Sequence, residues 1–167
     1  LAVIKSILSY VGRPVRVWQH GRWTHAPGWG LTVRRPLRDV GSRLFSLCET
    51  ADLDLVRARF PTVRNAIFRA GLELSFLHLA ITALSLPVRL GWLKSLAPLA
   101  EPLRDAAAML RGLGSDCGGM LVEVTGAYGD GARLRVVWTL IAEGGEGPQV
   151  PALPARCVIH GLLDGSL

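Results

Sequence analysis

The spacing of apolar positions changes period along this chain, and each change marks an element. Ala2, Val3, Ile4, Ile7 and Leu8 open it as the middle of an apolar helix or buried segment does. Arg13, Val15 and Val17 then alternate with Arg16 and Trp18. With Gln19-His20-Gly21-Arg22 and Trp23 behind them, they predict two short strands and a turn. Residues 24–39, rich in Pro, Gly, Trp and Arg, read as a long loop, and loops of that length usually carry function or an interface. A short strand follows over 42–48, then a helix over 53–59 capped by Asp52 and ended by Pro61. Residues 62–70 alternate poorly but hold strand formers, and read as a strand. Leu72, Phe76, Leu79, Ala83 and Leu86 recur at helical spacing until Pro87 breaks the run. A further helix spans 99–113, with Pro98 near its start and Gly112 and Gly114 at its end. The clearest signal is a hairpin. Strands over 120–126 and 133–142 flank Tyr128-Gly129-Asp130-Gly131, and an Asp-Gly between alternating apolar runs favours a tight turn. A Gly- and Pro-rich loop over 143–151 leads to a last helix over 154–163.

Strands early, helices in the middle, a hairpin and a closing helix predict an α+β fold. Its simplest form is a mixed, largely antiparallel sheet with helices packed on one face. The 167 residues suit one core, so 1–167 reads as a single domain. The chain starts on Leu1 inside an apolar run and stops just after a helix-capping glycine, which reads as a domain cut from a longer protein. The opening run is short, carries Lys5 and has no small-residue cleavage site, so it does not read as a signal peptide.

Composition sharpens this picture in three places. Half the residues are apolar and 19% are charged, which excludes a disordered chain. Glu73 and Arg89 flank fifteen residues without a formal charge, but that run holds His78 and Pro87 and is shorter than the roughly 20 apolar residues a span needs. It reads as a buried or subunit-interface helix. Cys48, Cys117 and Cys157 are widely spaced and form no CxxC pair, so buried thiols in a reducing cytoplasm are expected rather than disulfides or zinc.

Charge is uneven. Residues 1–38 carry seven basic residues and no acid, whereas the remainder carries twelve basic and thirteen acidic residues. Such a block suits an anionic ligand, an acidic neighbouring domain or nucleic acid, although a general drift toward Arg produces the same count. No aromatic residues interleave with it on a nucleic-acid-binding motif, so no nucleic-acid partner is expected.

A self-contained active site is missing from the pattern. There is no strand–GxGxxG–helix, P-loop or nucleophile elbow, and Gly28-Trp29-Gly30 lies in a Pro/Trp loop. His20 and His25 have no Cys or carboxylate nearby to complete a metal site. His78 suits a hydrogen-bonded core or interface position, and His160 a helix face. Glu73 suits a helix N-terminus, and Glu123, between Val122 and Val124, points away from the core. No catalytic residue can be assigned. Two Gly-rich stretches flank the hairpin, one with Gly112, Gly114, Gly118 and Gly119, the other with Gly144, Gly145, Gly147 and Pro148. Such stretches let another backbone or a ligand approach closely.

Around these stretches the chain resembles a known family. Gly118-Gly119-Met120 through Val124-x-Gly126, Trp138-x-Leu140-x-Ala142 and Gly147-Pro148-x-Val150-Pro151-x-x-Pro154-Ala155 are similar to the C-terminal part of saccharopine dehydrogenase-like oxidoreductases. Leu47-Cys48-Glu49-Thr50-Ala51-Asp52-Leu53 and Ala70-Gly71-Leu72-Glu73 fit the same group, and the resemblance runs from about Arg43 onward. It implies a two-part enzyme in which an N-terminal Rossmann domain binds NAD(P). This chain would then be the substrate-binding and dimerisation domain, holding no cofactor and no metal, and inactive alone. Under that implication Arg34, Arg35, Arg38 and Arg43 face the small-molecule substrate or the Rossmann domain. Gly118, Gly119, Gly147 and Pro148 line the approach. A homodimer would form through residues 72–93. The alternative from another class is a non-catalytic domain that encloses an apolar ligand.

Overall fold

Gly12 turns the chain from helix α1 (Ala2–Tyr10) into strand β1 (Pro14–Gln19) with a φ of 76°. A β-carbon there would lie 2.6 Å from the Ser85 carbonyl oxygen and 2.7 Å from Val88 Cβ, so only glycine lets the later helix pass so closely. These relations come from a computed structural model, which describes residues 2–167.

Strand β2 (Arg22–Pro27) pairs antiparallel with β1, from Pro14 opposite Pro27 to Gln19 opposite Arg22. The two loop residues, His20 and Gly21, have φ of 53° and 75°, the mirror-image turn whose twist matches the flanking strands. Strands β3 (Val33–Leu37), β4 (Gly41–Leu47) and β5 (Arg69–Ala70) form a second sheet with β4 in the middle. Helices α2 (Asp52–Arg59), α3 (Ser75–Arg89) and α4 (Ala100–Met109) follow. Strands β6 (Gly118–Ala127) and β7 (Arg133–Ala142) make the long hairpin, and α5 (Leu153–Asp164) closes the chain.

The described residues thus hold five helices and seven strands in three small antiparallel sheets, an α+β fold. The expected single sheet is divided. Trp29 and Leu31 take left-handed φ of 57° and 46°, which turns the chain so that β3 starts a new sheet instead of extending β1–β2. The expected long loop over 24–39 accordingly contains the end of β2 and all of β3.

Two compact units result. One comprises residues up to Arg35 together with Arg43–Gly114, and the other comprises Pro36–Ser42 and Ser115–Leu167. In the first, Leu8 of α1 and Val11 just after it pack with Trp29, Cys48, Val88, Leu96 and Ala100, all buried. Val15, Val17 and Leu47 form a second cluster with Tyr10 and Ala26. Burial of this many side chains, each worth about 1.5–3 kcal/mol, fixes which strand face turns inward. In the second unit the β6–β7 register runs unbroken from Gly118 opposite Ala142 to Ala127 opposite Arg133. Gly119 is a packing position there: a β-carbon would meet Ile141 Cδ1 at 3.1 Å and Leu37 Cδ1 at 3.2 Å.

Four element boundaries differ from expectation, the first being the helix read over 99–113, which ends at Met109 and is followed by a separate 3-10 turn over 111–113. Asp52 is the first residue of α2 rather than its cap; Ala51 precedes it, and Thr50 Oγ1 donates to the Asp52 carboxylate at 3.0 Å. Residues 62–70 contribute only an isolated bridge between Ala66 and Trp18 and the two-residue β5. There the Trp18 indole reaches the Val63 carbonyl at 2.9 Å and the Asn65 carboxamide accepts the His20 amide, so side chains replace a ladder. Pro87 lies inside α3 instead of ending it. Its missing N–H forfeits one bond in the last turn, and the helix stops at Gly91, which has a φ of 75°.

Candidate functional site

Three features could carry chemistry: a buried Ser–His pair, an open basic cleft and an exposed apolar helix face. All three lie in the first unit.

Ser46 lies on β4 among Leu44, Phe45 and Leu47, and is fully buried. Its Oγ is 2.8 Å from His78 Nε2 on α3 and 2.8 Å from Thr32 Oγ1. The His78 ring stacks at 4.9 Å and 32° on the ring of Trp29, and its carbonyl accepts from Thr82 Oγ1 at 2.8 Å. A serine beside a histidine is the first part of a nucleophile–base arrangement. Here both groups have no solvent exposure, and His78 Nδ1 has no hydrogen-bond partner among the described residues, so nothing orients the ring as a base. Burial also lowers the His78 pKa and keeps the ring neutral. The cluster ties β4 to α3; it is structural.

The residues singled out in the sequence do not converge. Arg34 and Arg35 are exposed on β3, and the Arg35 guanidinium donates to the Arg34 carbonyl at 3.3 Å. Arg43 is half-buried on β4 and lies 3.9 Å from the Glu73 carboxylate. Glu73 precedes the first residue of α3 by two positions, so it serves as an ion-pair partner rather than as part of the helix. Arg38, in the second unit, pairs with the adjacent Asp39 at 3.7 Å in an exposed hairpin tip. Gly118 and Gly119 begin β6, and Gly147 and Pro148 begin a short 3-10 turn before α5. No side chain lies within 4 Å of where a β-carbon would sit at Gly118 or Gly147, so these two glycines leave open space.

The cleft was not legible in advance. It measures about 600 Å³ and is lined by Gly12, Arg13, Pro14, His25, Ala26, Pro27, Val88, Arg89 and Lys94. The hairpin register pairs Pro14 with Pro27, which leaves Arg13 just beyond the open end of β1–β2 beside Gly28, and His25 two residues inside that end, opposite Arg16. The end of α3 supplies Arg89, whose guanidinium lies over Gly30, where a β-carbon would come within 2.7 Å of Nη2. Three permanent cations and an imidazole thus meet above a floor of Val88, Ala26 and two prolines, with no carboxylate in the lining. Among the described residues, Arg13, Arg89 and Lys94 form no ion pair. By contrast Arg16, on the same strand as the cleft, is committed to Glu49 at 2.6 Å and Asp54 at 3.2 Å. Burial alone would raise the Glu49 pKa, but the backbone N–H and guanidinium of Arg16, with the charge of His25, hold it below the ordinary value. A concave surface with unpaired guanidinium forks recognises carboxylate or phosphate oxygens.

Helix α3 is apolar on every side. Its inner face buries His78, Ser85 and Val88, with Ile81 and Leu84 against the core. Its outer face carries Phe76, Leu79 and Leu86 and is continued by Leu90, the residue after its last, each at least half exposed, with Trp92 and Leu93 just beyond. The spacing that predicted a helix marks the exposed stripe, not the buried one.

The Gly28-Trp29-Gly30 segment does not fit a dinucleotide. Its amides are taken by chain carbonyls, Gly28 to Arg13 at 2.8 Å, Trp29 to Leu47 at 2.7 Å and Gly30 to Pro27 at 3.0 Å. The described residues contain no group of three His, Cys, Asp or Glu side chains able to hold a metal ion, and no helix among them is long and apolar enough to cross a membrane. Compared with known proteins, the chain matches no family model and no curated protein.

Proposed function

We propose that this chain is the substrate-binding and dimerisation domain of an NAD(P)-dependent, saccharopine dehydrogenase-like oxidoreductase, with the dinucleotide held by a separate Rossmann domain. The observation that carries the substrate-binding half is the cleft of Arg13, His25, Arg89 and Lys94 over an apolar floor. Few polar groups placed on an apolar wall are the usual make-up of a small-molecule site. The charges suit a ligand bearing carboxylate or phosphate oxygens, and Pro14, Pro27 and Val88 suit its carbon skeleton. In this reading, as the resemblance implies, Arg34, Arg35, Arg38 and Arg43 serve the neighbouring domain or the substrate, and Gly118, Gly119, Gly147 and Pro148 the approach of substrate. An enclosed apolar-ligand cavity fits less well, because the cleft is open and its mouth is cationic.

Calorimetric titration with glutarate and with inorganic phosphate tests the cleft. Saturable binding of at least one is expected, weakened about tenfold by Arg89→Met, since a charge-assisted hydrogen bond contributes about 1.5–3 kcal/mol and exposure reduces that. Binding that ignores both Arg89→Met and Arg13→Met, or no binding at millimolar ligand, would sink this reading of the cleft.

A further inference from the structure

The outer stripe of α3 has a more specific pattern than mere hydrophobicity. Phe76, Leu79, Ala83, Leu86 and Leu90 are separated by three, four, three and four residues, the a/d spacing of a helix that packs along a partner helix. Phe76, Leu79, Leu86 and Leu90 are between 50% and 61% exposed, and Ala83 is exposed too. A helix with one face in the core and a second apolar face in water lacks a partner, because an all-apolar helix is stable only when covered on both sides. From Ser75 to Val88 the helix carries no formal charge. A neighbouring copy of it therefore meets no like-charge repulsion. Partly exposed Phe, Leu and Trp side chains of this number offer on the order of 700–800 Å² per copy, close to the roughly 800 Å² per partner of a standard interface.

We propose that two copies of this chain associate through α3 packed antiparallel about a two-fold axis between Ala83 and Leu86. The proposal rests on the assembly half of the reading above and supplies its partner, face and register. In this register each a position faces a d position of the second copy. Leu79 of one copy lies against Leu90 of the other, and small Ala83 against large Leu86. A parallel pairing would stack Ala83 on Ala83 and leave a gap, which close-packed interfaces do not tolerate. Antiparallel helices also set the positive end of one dipole beside the negative end of the other.

Sedimentation velocity tests it, with circular dichroism as the check on folding. The chain should run as a dimer, and L79E and L90K should each run as a monomer with unchanged helix signal. An equimolar mixture of L79E and L90K should regain the dimer mass, because only the antiparallel register sets the introduced carboxylate against the introduced ammonium. A monomeric parent chain overturns the proposal, as does either variant remaining dimeric or a mixture that stays monomeric. Should L79E lose helix signal, Leu86→Ala replaces it and must weaken association at least tenfold. A parent chain that is monomeric yet sediments with phosphatidylcholine vesicles would assign the stripe to a lipid surface, and the proposal fails. Ligand titration of the L79E monomer reads the cleft independently, so loss of binding there counts against the substrate reading and not against the dimer.

Discussion

Replacing Ser46 by alanine would leave Nε2 of a fully buried imidazole without a partner, while Nδ1 already has none among the described residues. Stranding a buried polar group costs about 1–3 kcal/mol, so Ser46→Ala should lower the urea midpoint by that equivalent without changing the fold. His78 also makes stability depend on pH. Burial holds its pKa below the ordinary value, whereas the unfolded chain takes up a proton near 6.5. Between the two values the unfolded state binds more protons, so stability falls as pH drops below about 6.5 and is flat above it. His78→Gln should remove that slope in urea titrations at several pH values; a slope that persists would place its origin elsewhere. Cys48 is a second buried titrating group among the described residues, its thiol pushed up to about 11 by burial. Cys157, exposed on α5, should react with a thiol reagent in the native chain, and Cys48 only on unfolding. That His78 is a hydrogen-bonded core residue followed from its apolar neighbours. That Ser46 is the partner could not, because they lie on different elements 32 positions apart.

At the scale of elements, the sequence announced what local geometry decides and missed what distant contacts decide. Two of the three hairpins were legible because His20-Gly21 and Asp130-Gly131 supply left-handed φ or turn hydrogen bonds by themselves, whereas the β3–β4 hairpin was hidden in a stretch read as a loop. Helix α3 was legible as a helix, but its buried face was not, since both faces are apolar and periodicity alone cannot choose between them. Its end was misplaced because Pro87 disrupts only the bond that its own N–H would make, while Gly91 supplies the left-handed residue that terminates the helix. Gly91→Ala therefore separates conformation from packing. The site has a φ of 75° and no atoms within 4 Å of a new β-carbon, so the cost is conformational, about 1–2 kcal/mol. Gly112 has equal space without a left-handed φ, and Gly112→Ala should be neutral or stabilise by up to about 1 kcal/mol. Equal effects at the two sites, measured by thermal unfolding, would contradict this account of the α3 terminus.

For the whole molecule, charge and burial distribute differently from the chain order. Of the seven basic residues in the first quarter, Lys5 pairs with Glu101, Arg16 with Glu49 and Asp54, and Arg38 with Asp39, which leaves Arg13, Arg22, Arg34 and Arg35 without an ion pair among the described residues. Of these only Arg13 lines the cleft, where folding adds Arg89 and Lys94 from much later in the chain. Burial is also unequal between the two units. The first holds both hydrophobic clusters, while in the second the cross-strand pairs Met120–Leu140, Val122–Trp138 and Val124–Val136 line one face of a two-stranded ribbon and, Leu140 apart, are about half exposed. A ribbon of two strands is marginal in water unless a third strand or another layer covers it. Opening free energies should follow this difference, since local stability tracks buried apolar contact. Amide exchange followed by mass spectrometry should accordingly show β6 and β7 exchanging well before β1 and β4, where Val15, Val17 and Leu47 are sealed. Equal protection in the two sets of strands would mean that the ribbon is covered in solution, by association or by a neighbouring domain. Repeating the measurement on the L79E monomer separates those causes: protection lost with the dimer comes from the second copy, and protection retained does not.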